Sequence, residues 1–454
     1  LGDVYKRQGK VLLGLDTLTF LFLFLPASML VFYLCPSKYK NASLAVMSLL
    51  FYASNDWKNL PILLLSLLFD YLVCSKLVRF GSNQKGRRTI FWSSILKNIL
   101  LMVLAMAMME LGWITMPLGL LVYTVTSMGY VIDVYNGDER FDGKIMDYLL
   151  FTCFFAKLYA GPIVQYSQLR EQWENRDLSL ERINTGMKLS VSGLAKIVIL
   201  AGGNIQIQTA IQEITPGEES VLSVWFLIIT STFALYYALT GYCDMARGLG
   251  NLFGMQLPEN FHYPFQSRTV SDFFNRFNIT VTQFINRYVY VFLGGDTNGV
   301  LSTTVNTLLT TMLMGLWFGI RLNYLVWGIY FAGFILLEKY FLMKYLQKIP
   351  PIFDRMYTFV VVMFSFTIFS GDSLKTTGYF LKSMFGLNSL PIFNNAILYI
   401  LSTNYLVILL SFFFATSLVS LIGKMIRNKV SHITEIGGTI LYLGVFVATV
   451  SFMI

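Results

Sequence analysis

Long, largely apolar runs recur along this chain, and most polar residues gather in the short intervals between them. A helix that crosses the hydrocarbon of a bilayer needs about 20 apolar residues. By that measure the runs are Asp16–Leu34, Ala42–Tyr52 (short), Leu60–Val78, Ile90–Met109, Trp113–Ile132 and Met187–Asn204. They continue with Val221–Tyr242, Val300–Ile320, Tyr324–Leu342, Met356–Ser370, Ala396–Ile422 and Ile433–Ile454. The pattern predicts an all-α, polytopic membrane protein of about eleven or twelve crossings. Barrel strands would show about ten residues of alternating polarity, and these runs are continuous. The first run lacks a small-residue cleavage site and is expected to be retained as a helix.

Two stretches depart from the pattern. Met146–Val164 is apolar but holds Lys157 and ends on Ala160-Gly161-Pro162, a combination that stops a helix and is costly in lipid. It predicts a re-entrant or interfacial segment. Leu257–Gly295 mixes Phe273, Phe277 and Phe284 on one side with Arg276, Gln283 and Arg287 on another, after a helix start at Ser271-Asp272. Short amphipathic helices in a protein-lined cavity suit that spacing, and charge at membrane depth points to function. A purely interfacial role for the arginines and aromatics stands beside that reading.

Composition sharpens the picture. Of 454 residues 55% are hydrophobic and only 13% charged, about half the fraction usual for soluble domains. The net charge of +9 sits in loops such as the one with Lys76, Arg79, Lys85, Arg87, Arg88 and Lys97. Such loops mark a cytoplasmic side rather than a nucleic-acid surface. Lys424, Arg427 and Lys429 mark a second. Cys35, Cys74, Cys153 and Cys243 form no C-x-x-C pair and read as packing residues, and no metal site is expected. Residues 1–8 resemble translated sequencing adaptor, which leaves 9–454 as one transmembrane domain.

Phe20-Leu21-Phe22-Leu23-Phe24-Leu25-Pro26, Met116-Pro117-Leu118-Gly119, Ile132-Asp133-Val134-Tyr135 and Ala160-Gly161-Pro162-Ile163-Val164 follow one another in order. Gly241-Tyr242-Cys243-Asp244-Met245, Pro258-Glu259-Asn260-Phe261, Asp272-Phe273, Leu293-Gly294-Gly295 and Gly315-Leu316-Trp317-Phe318-Gly319 come after them. In this order the motifs resemble the membrane-bound O-acyltransferases, in the branch of the alginate O-acetyltransferases and the D-alanyl transfer protein of teichoic acids. The resemblance implies a ring of tilted helices around a tunnel, with an acyl donor entering from the cytoplasm and an acceptor hydroxyl from outside. It also implies two histidines, in patterns like R-W-H-I-S and L-W-H-G. Here those patterns read Arg276-Phe277-Asn278-Ile279-Thr280 and Leu316-Trp317-Phe318-Gly319. Both histidines are replaced.

An alcohol that attacks an acyl donor must lose a proton, and neither an amide nor a phenyl ring takes one near neutrality. Only His262 and His432 remain in the chain. His262 and Asp244 are the candidate substitute acid–base groups, with Asp244 expected to pair with Arg247 or Arg276. By the resemblance, Arg276, Arg287 and Tyr290 line the tunnel, and Trp317 and Asn323 shape the former histidine pocket. Three readings follow. One is an O-acyltransferase that passes a small acyl group from acyl-CoA or an acyl carrier thioester to a surface polysaccharide or partner protein. The second is a catalytically silent paralogue that scaffolds or regulates such machinery, and the third a small-solute transporter. The resemblance also implies a cytoplasmic-membrane location, an extracytoplasmic acyltransferase- or esterase-like partner and a cytoplasmic donor protein. No bound cofactor is expected.

Overall fold

A computed structural model describes residues 13–454 except residues 82, 215–218, 298, 372, 420, 423–424 and 426–430, and only the backbone of 431–436. The adaptor-like residues 1–8 and the basic group Lys424, Arg427 and Lys429 lie outside the described residues, as does the side chain of His432. The principal helices are α1 (Phe20–Leu34), α2 (Lys40–Asp56), α3 (Leu60–Arg79), α4 (Gln84–Glu110) and α5 (Leu120–Asn136). Next come α6 (Ile145–Cys153), α7 (Leu180–Gln212), α8 (Val221–Leu252), α9 (Val270–Phe274) and α10 (Ile279–Ile285). The chain continues through α11 (Gly299–Leu316), α12 (Leu322–Leu346), α13 (Pro351–Ser370), α14 (Asn395–Thr403), α15 (Tyr405–Phe414) and α16 (Ser431–Met453).

Seven of these helices are long and apolar enough to cross a membrane, or eight if α14 and α15, bent by 65°, form one crossing. The chain is thus an all-α, polytopic membrane protein. The number is below the eleven or twelve apolar runs because several runs make shorter helices. The run from Trp113 becomes helical only at Leu120, after Pro117 and after Gly119 at φ +65°. A Cβ on Gly119 would stand 2.9 Å from the Leu158 carbonyl, so this approach requires glycine.

Where helices pack at depth, small residues bring the backbones together. Along α7 and α8, a Cβ on Gly193 would meet the Gly241 carbonyl at 2.6 Å. One buried polar side chain in the bundle is satisfied by four internal donors. The carboxylate of Asp70 on α3 is fully buried; it accepts from Ser94 Oγ at 2.6 Å, Ser127 Oγ at 2.6 Å, Lys97 Nζ at 2.9 Å and Asn98 Nδ2 at 3.1 Å. One carboxylate thereby ties α3, α4 and α5 together.

The stretch 146–164 is not a crossing. After nine residues of α6 it tightens into a single turn at Phe155–Lys157 and runs extended past Pro162. Lys157 is fully buried, and its ammonium donates to the Phe151 carbonyl at 2.6 Å. The stretch from Leu257 folds into short helices. The helix α9 starts two residues earlier than its sequence suggests: Thr269 Oγ1 caps it by accepting from Asp272 N at 3.0 Å. Glu338, buried on α12, accepts from Val270 N at 2.7 Å and so fixes the start from a distance.

Candidate acyl-transfer site

Phe261 and Phe277 pair as an isolated antiparallel bridge, which turns the chain back on itself just before α10. Asn278 follows at φ +51°, a left-handed conformation that asparagine tolerates better than most residues. It acts as the N-cap residue of α10. The Thr280 backbone N–H donates to Asn260 Oδ1 at 2.8 Å, and the Thr280 hydroxyl donates to the same oxygen at 3.0 Å. A backbone N–H can only donate, so the orientation of the Asn260 amide is set. Its Nδ2 in turn donates to Asn278 Oδ1 at 3.0 Å. That bond orients the Asn278 amide, whose Nδ2 is its donor.

Asn278, Trp317 and Phe318 all line one cavity of about 180 Å³, together with Asn260 and Tyr159. Phe318 packs edge-on against Phe369, with ring centroids 5.1 Å apart and planes at 87°. Among the described residues that line this cavity there is no histidine, cysteine, lysine, arginine or carboxylate. Its single titratable side chain is Tyr159, which stacks on Tyr242 with centroids 5.4 Å apart. The positions Asn278 and Phe318 therefore meet at one place, and that place offers a hydrogen-bond donor and apolar rings.

A second, polar cavity of about 370 Å³ continues along the same helices. The first cavity takes Leu120 to Val122 of α5 and Val281 of α10; the second takes Val125 to Asp133 and Gln283 to Arg287. At the step between them, the Ile163 N–H donates to Thr280 Oγ1 at 3.0 Å. Two separate cavities thus lie one after the other along α5 and α10. In the second, Asp133 accepts from Tyr288 Oη at 2.8 Å and from Arg287 at 3.2 Å. Tyr130, Tyr166 and Gln283 complete a polar wall.

Other candidates stand elsewhere. The His262 ring is half exposed, with Nδ1 3.3 Å from the Glu259 carboxylate, and it does not line either cavity. Asp244 is bound by Lys196 at 2.5 Å and Arg247 at 3.3 Å, not by Arg276. Arg276 is paired with Asp272 at 2.8 Å. Tyr290 donates to Asp296 at 2.5 Å, and Lys339 holds the same carboxylate at 2.5 Å. Asn323 is buried and donates to the Ile368 and Gly371 carbonyls, which ties α12 to the end of α13. None of Arg276, Tyr290 and Asn323 lines either cavity. Residues that the sequence did not offer as site candidates do: Asn260 and Asp133, which entered only as motif residues, with Tyr159 and Tyr288. Cys243 is buried, and its thiol donates to the Ala160 carbonyl at 2.9 Å.

The sequence model of the MBOAT, membrane-bound O-acyltransferase, family matches residues 139–381. The chain is similar to the probable alginate O-acetylase of Pseudomonas fluorescens, 31% identical over 375 residues that cover 81% of this chain and 74% of the relative. It is 26% identical to the peptidoglycan O-acetyltransferase of Helicobacter pylori over 426 residues, 83% of this chain and 80% of that protein. The teichoic acid D-alanyltransferase of Bacillus subtilis is 26% identical over 275 residues, 56% of this chain and 68% of the relative.

Proposed function

The chain belongs to the membrane-bound O-acyltransferase family, and from that premise we propose that it serves the O-acylation of a cell-surface glycan as a member that holds a small acyl group without efficient turnover. One observation carries this reading. Asn278 and Phe318 face a single cavity with no acid–base side chain beyond a phenol.

The chemistry follows from the wall. A hydroxyl acceptor attacking an acyl carbonyl needs a donor at the carbonyl oxygen and an acceptor for its own proton. Asn278 Nδ2 supplies the first. Nothing on the wall supplies the second with a suitable basicity, and that help is typically worth about 10²–10⁴-fold. The cavity's size suits an acetyl-sized group. The polar cavity beside it, with Arg287, Asp133 and Tyr288, suits the carrier end of a thioester donor such as acyl-CoA or an acyl carrier protein. A cytoplasmic-membrane location and an active transferase or esterase-like partner fit the same reading. The named activities of the relatives, on alginate, peptidoglycan and teichoic acid, supply the acceptor class.

The intact cavity and the Asn278 donor favour a second reading, slow transfer by positioning alone. The purified protein in nanodiscs, supplied with acetyl-CoA and a surface-glycan oligosaccharide, separates the two. No transfer above the uncatalysed background is expected. Slow transfer abolished by Asn278→Ala would select the second reading, and turnover matching an active relative would overturn both.

A further inference from the structure

Away from both cavities, α1, α7, α8 and α16 enclose a groove of about 360 Å³, within the size range of small-ligand pockets, about 300–1,000 Å³. Leu21, Leu25, Leu194, Met245 and Phe446 make one end entirely apolar. The polar lining residues are Asn184, Lys188 and Ser190 on α7 with Thr439 and Tyr442 on α16, and Asn184 and Lys188 stand nearest the start of α7. The Lys188 ammonium lies 6.0 Å from the Tyr442 ring centroid.

Two lysines on α7 have contrasting surroundings. Lys196 is two turns deeper and is neutralised by Asp244 at 2.5 Å. Lys188 makes no ion pair among the described residues, so its charge is available to an external anion. The side of the membrane can also be traced. Arg87, in the basic first turn of α4, donates to the Tyr135 carbonyl at 2.8 Å, placing the start of α4 beside the end of α5. Asn41 donates to Asp147 at 2.9 Å, and Arg176, just before α7, reaches Asn41. The start of α7 therefore lies on the basic, cytoplasmic face, where anionic lipids give the surface a negative potential.

We propose that this groove holds an acyl chain of an anionic phospholipid of the cytoplasmic leaflet, with Lys188 beneath its phosphate. A void at this depth would forfeit packing contacts, so hydrocarbon fills it. Apolar walls cannot choose among lipids, because every lipid tail is equally apolar. The choice rests on the headgroup and hence on Lys188. The inference is independent of the acyl-transfer reading.

Native mass spectrometry of the delipidated full chain with dioleoyl phosphatidylglycerol or dioleoyl phosphatidylcholine tests it. Retention should favour phosphatidylglycerol by roughly fivefold, the factor that one membrane-surface lysine contributes. Lys188→Gln and Lys188→Glu should erase that preference and Lys188→Arg should keep it. Leu443→Trp, at an exposed lining position, should lower retention of both lipids by filling the groove. Equal retention of the two lipids by the unaltered protein would overturn the proposal. So would a preference that survives Lys188→Glu, or retention that Leu443→Trp leaves unchanged.

Discussion

The amide of Asn260 donates to Asn278 Oδ1 across 3.0 Å, and the direction of that bond decides what the cavity receives. Because Asn260 Oδ1 is held by the Thr280 N–H at 2.8 Å, the pair cannot reverse without breaking a backbone hydrogen bond. Asn260→Ala would leave the buried Thr280 N–H and the half-buried Asn278 Oδ1 without these partners. The expected loss is about 1–3 kcal/mol per orphaned group. A drop in Tm of the detergent-solubilised variant checks this, and an unchanged Tm would show that the amide bridge is dispensable.

Restoring imidazoles at Asn278 and Phe318 should create the missing proton acceptor, because both positions already line the cavity. Imidazole is smaller than the Phe318 ring, so Phe318→His fits without overpacking. The double variant Asn278→His/Phe318→His should transfer acetyl groups about 10²–10⁴-fold faster than the unaltered chain. Radiolabelled acetyl transfer to a glycan acceptor reads this directly. No gain from a folded double variant would place the defect outside the cavity.

The apolar runs made helices such as α3, α4, α8 and α13 legible, because length and hydropathy are local properties. The break near Lys157 and Gly161-Pro162 was legible for the same reason. Side-chain partners were not. Lys196 binds Asp244 from another helix, a relation no local pattern encodes. Glu338 sets the start of α9 from α12, which moved the cap from Ser271 to Thr269. Arg276 was expected on one face with Arg287, but the left-handed turn at Asn278 separates them into different elements. Asn286–Tyr290 forms a π-type turn, whose wider winding breaks the ordinary helical register. Arg287 and Tyr288 consequently reach Asp133, while Tyr290 reaches Asp296.

Asp70 offers a test of how the bundle holds together. Its carboxylate is fully buried, and Lys97 is its cation at 2.9 Å. Asp70→Ala would leave that ammonium without a counter-charge, held only by Ser66 and Asn98, with an expected cost of about 3–5 kcal/mol. The double variant Asp70→Ala/Lys97→Met removes the uncompensated charge and should recover a large part of the loss. Thermal unfolding of the two variants in one detergent measures the coupling. If the double variant is no more stable than Asp70→Ala, the ion pair is not what the bundle depends on.

The loop after Tyr290 should respond to acid. Hydrogen bonds from Lys339 and then Tyr290 hold the Asp296 carboxyl below its ordinary value. A carboxylate with a depressed folded-state pKa stabilises the fold above its unfolded pKa, and the contribution fades as pH falls through the folded value. The tie between Asp296 and Lys339 is therefore complete at neutral pH and lost only in acid, below the ordinary aspartate range. Hydrogen–deuterium exchange in residues 291–297, corrected for the intrinsic pH dependence of exchange, should be slow at neutral pH and should speed up as Asp296 is protonated. Lys339→Met should bring the fast-exchanging state to neutral pH. The sign matters: exchange that slows as pH falls, or that Lys339→Met leaves unaltered, would mean that the loop is held by its backbone bonds from Gly294 and Gly295 to Val291 and Tyr290 rather than by the carboxylate.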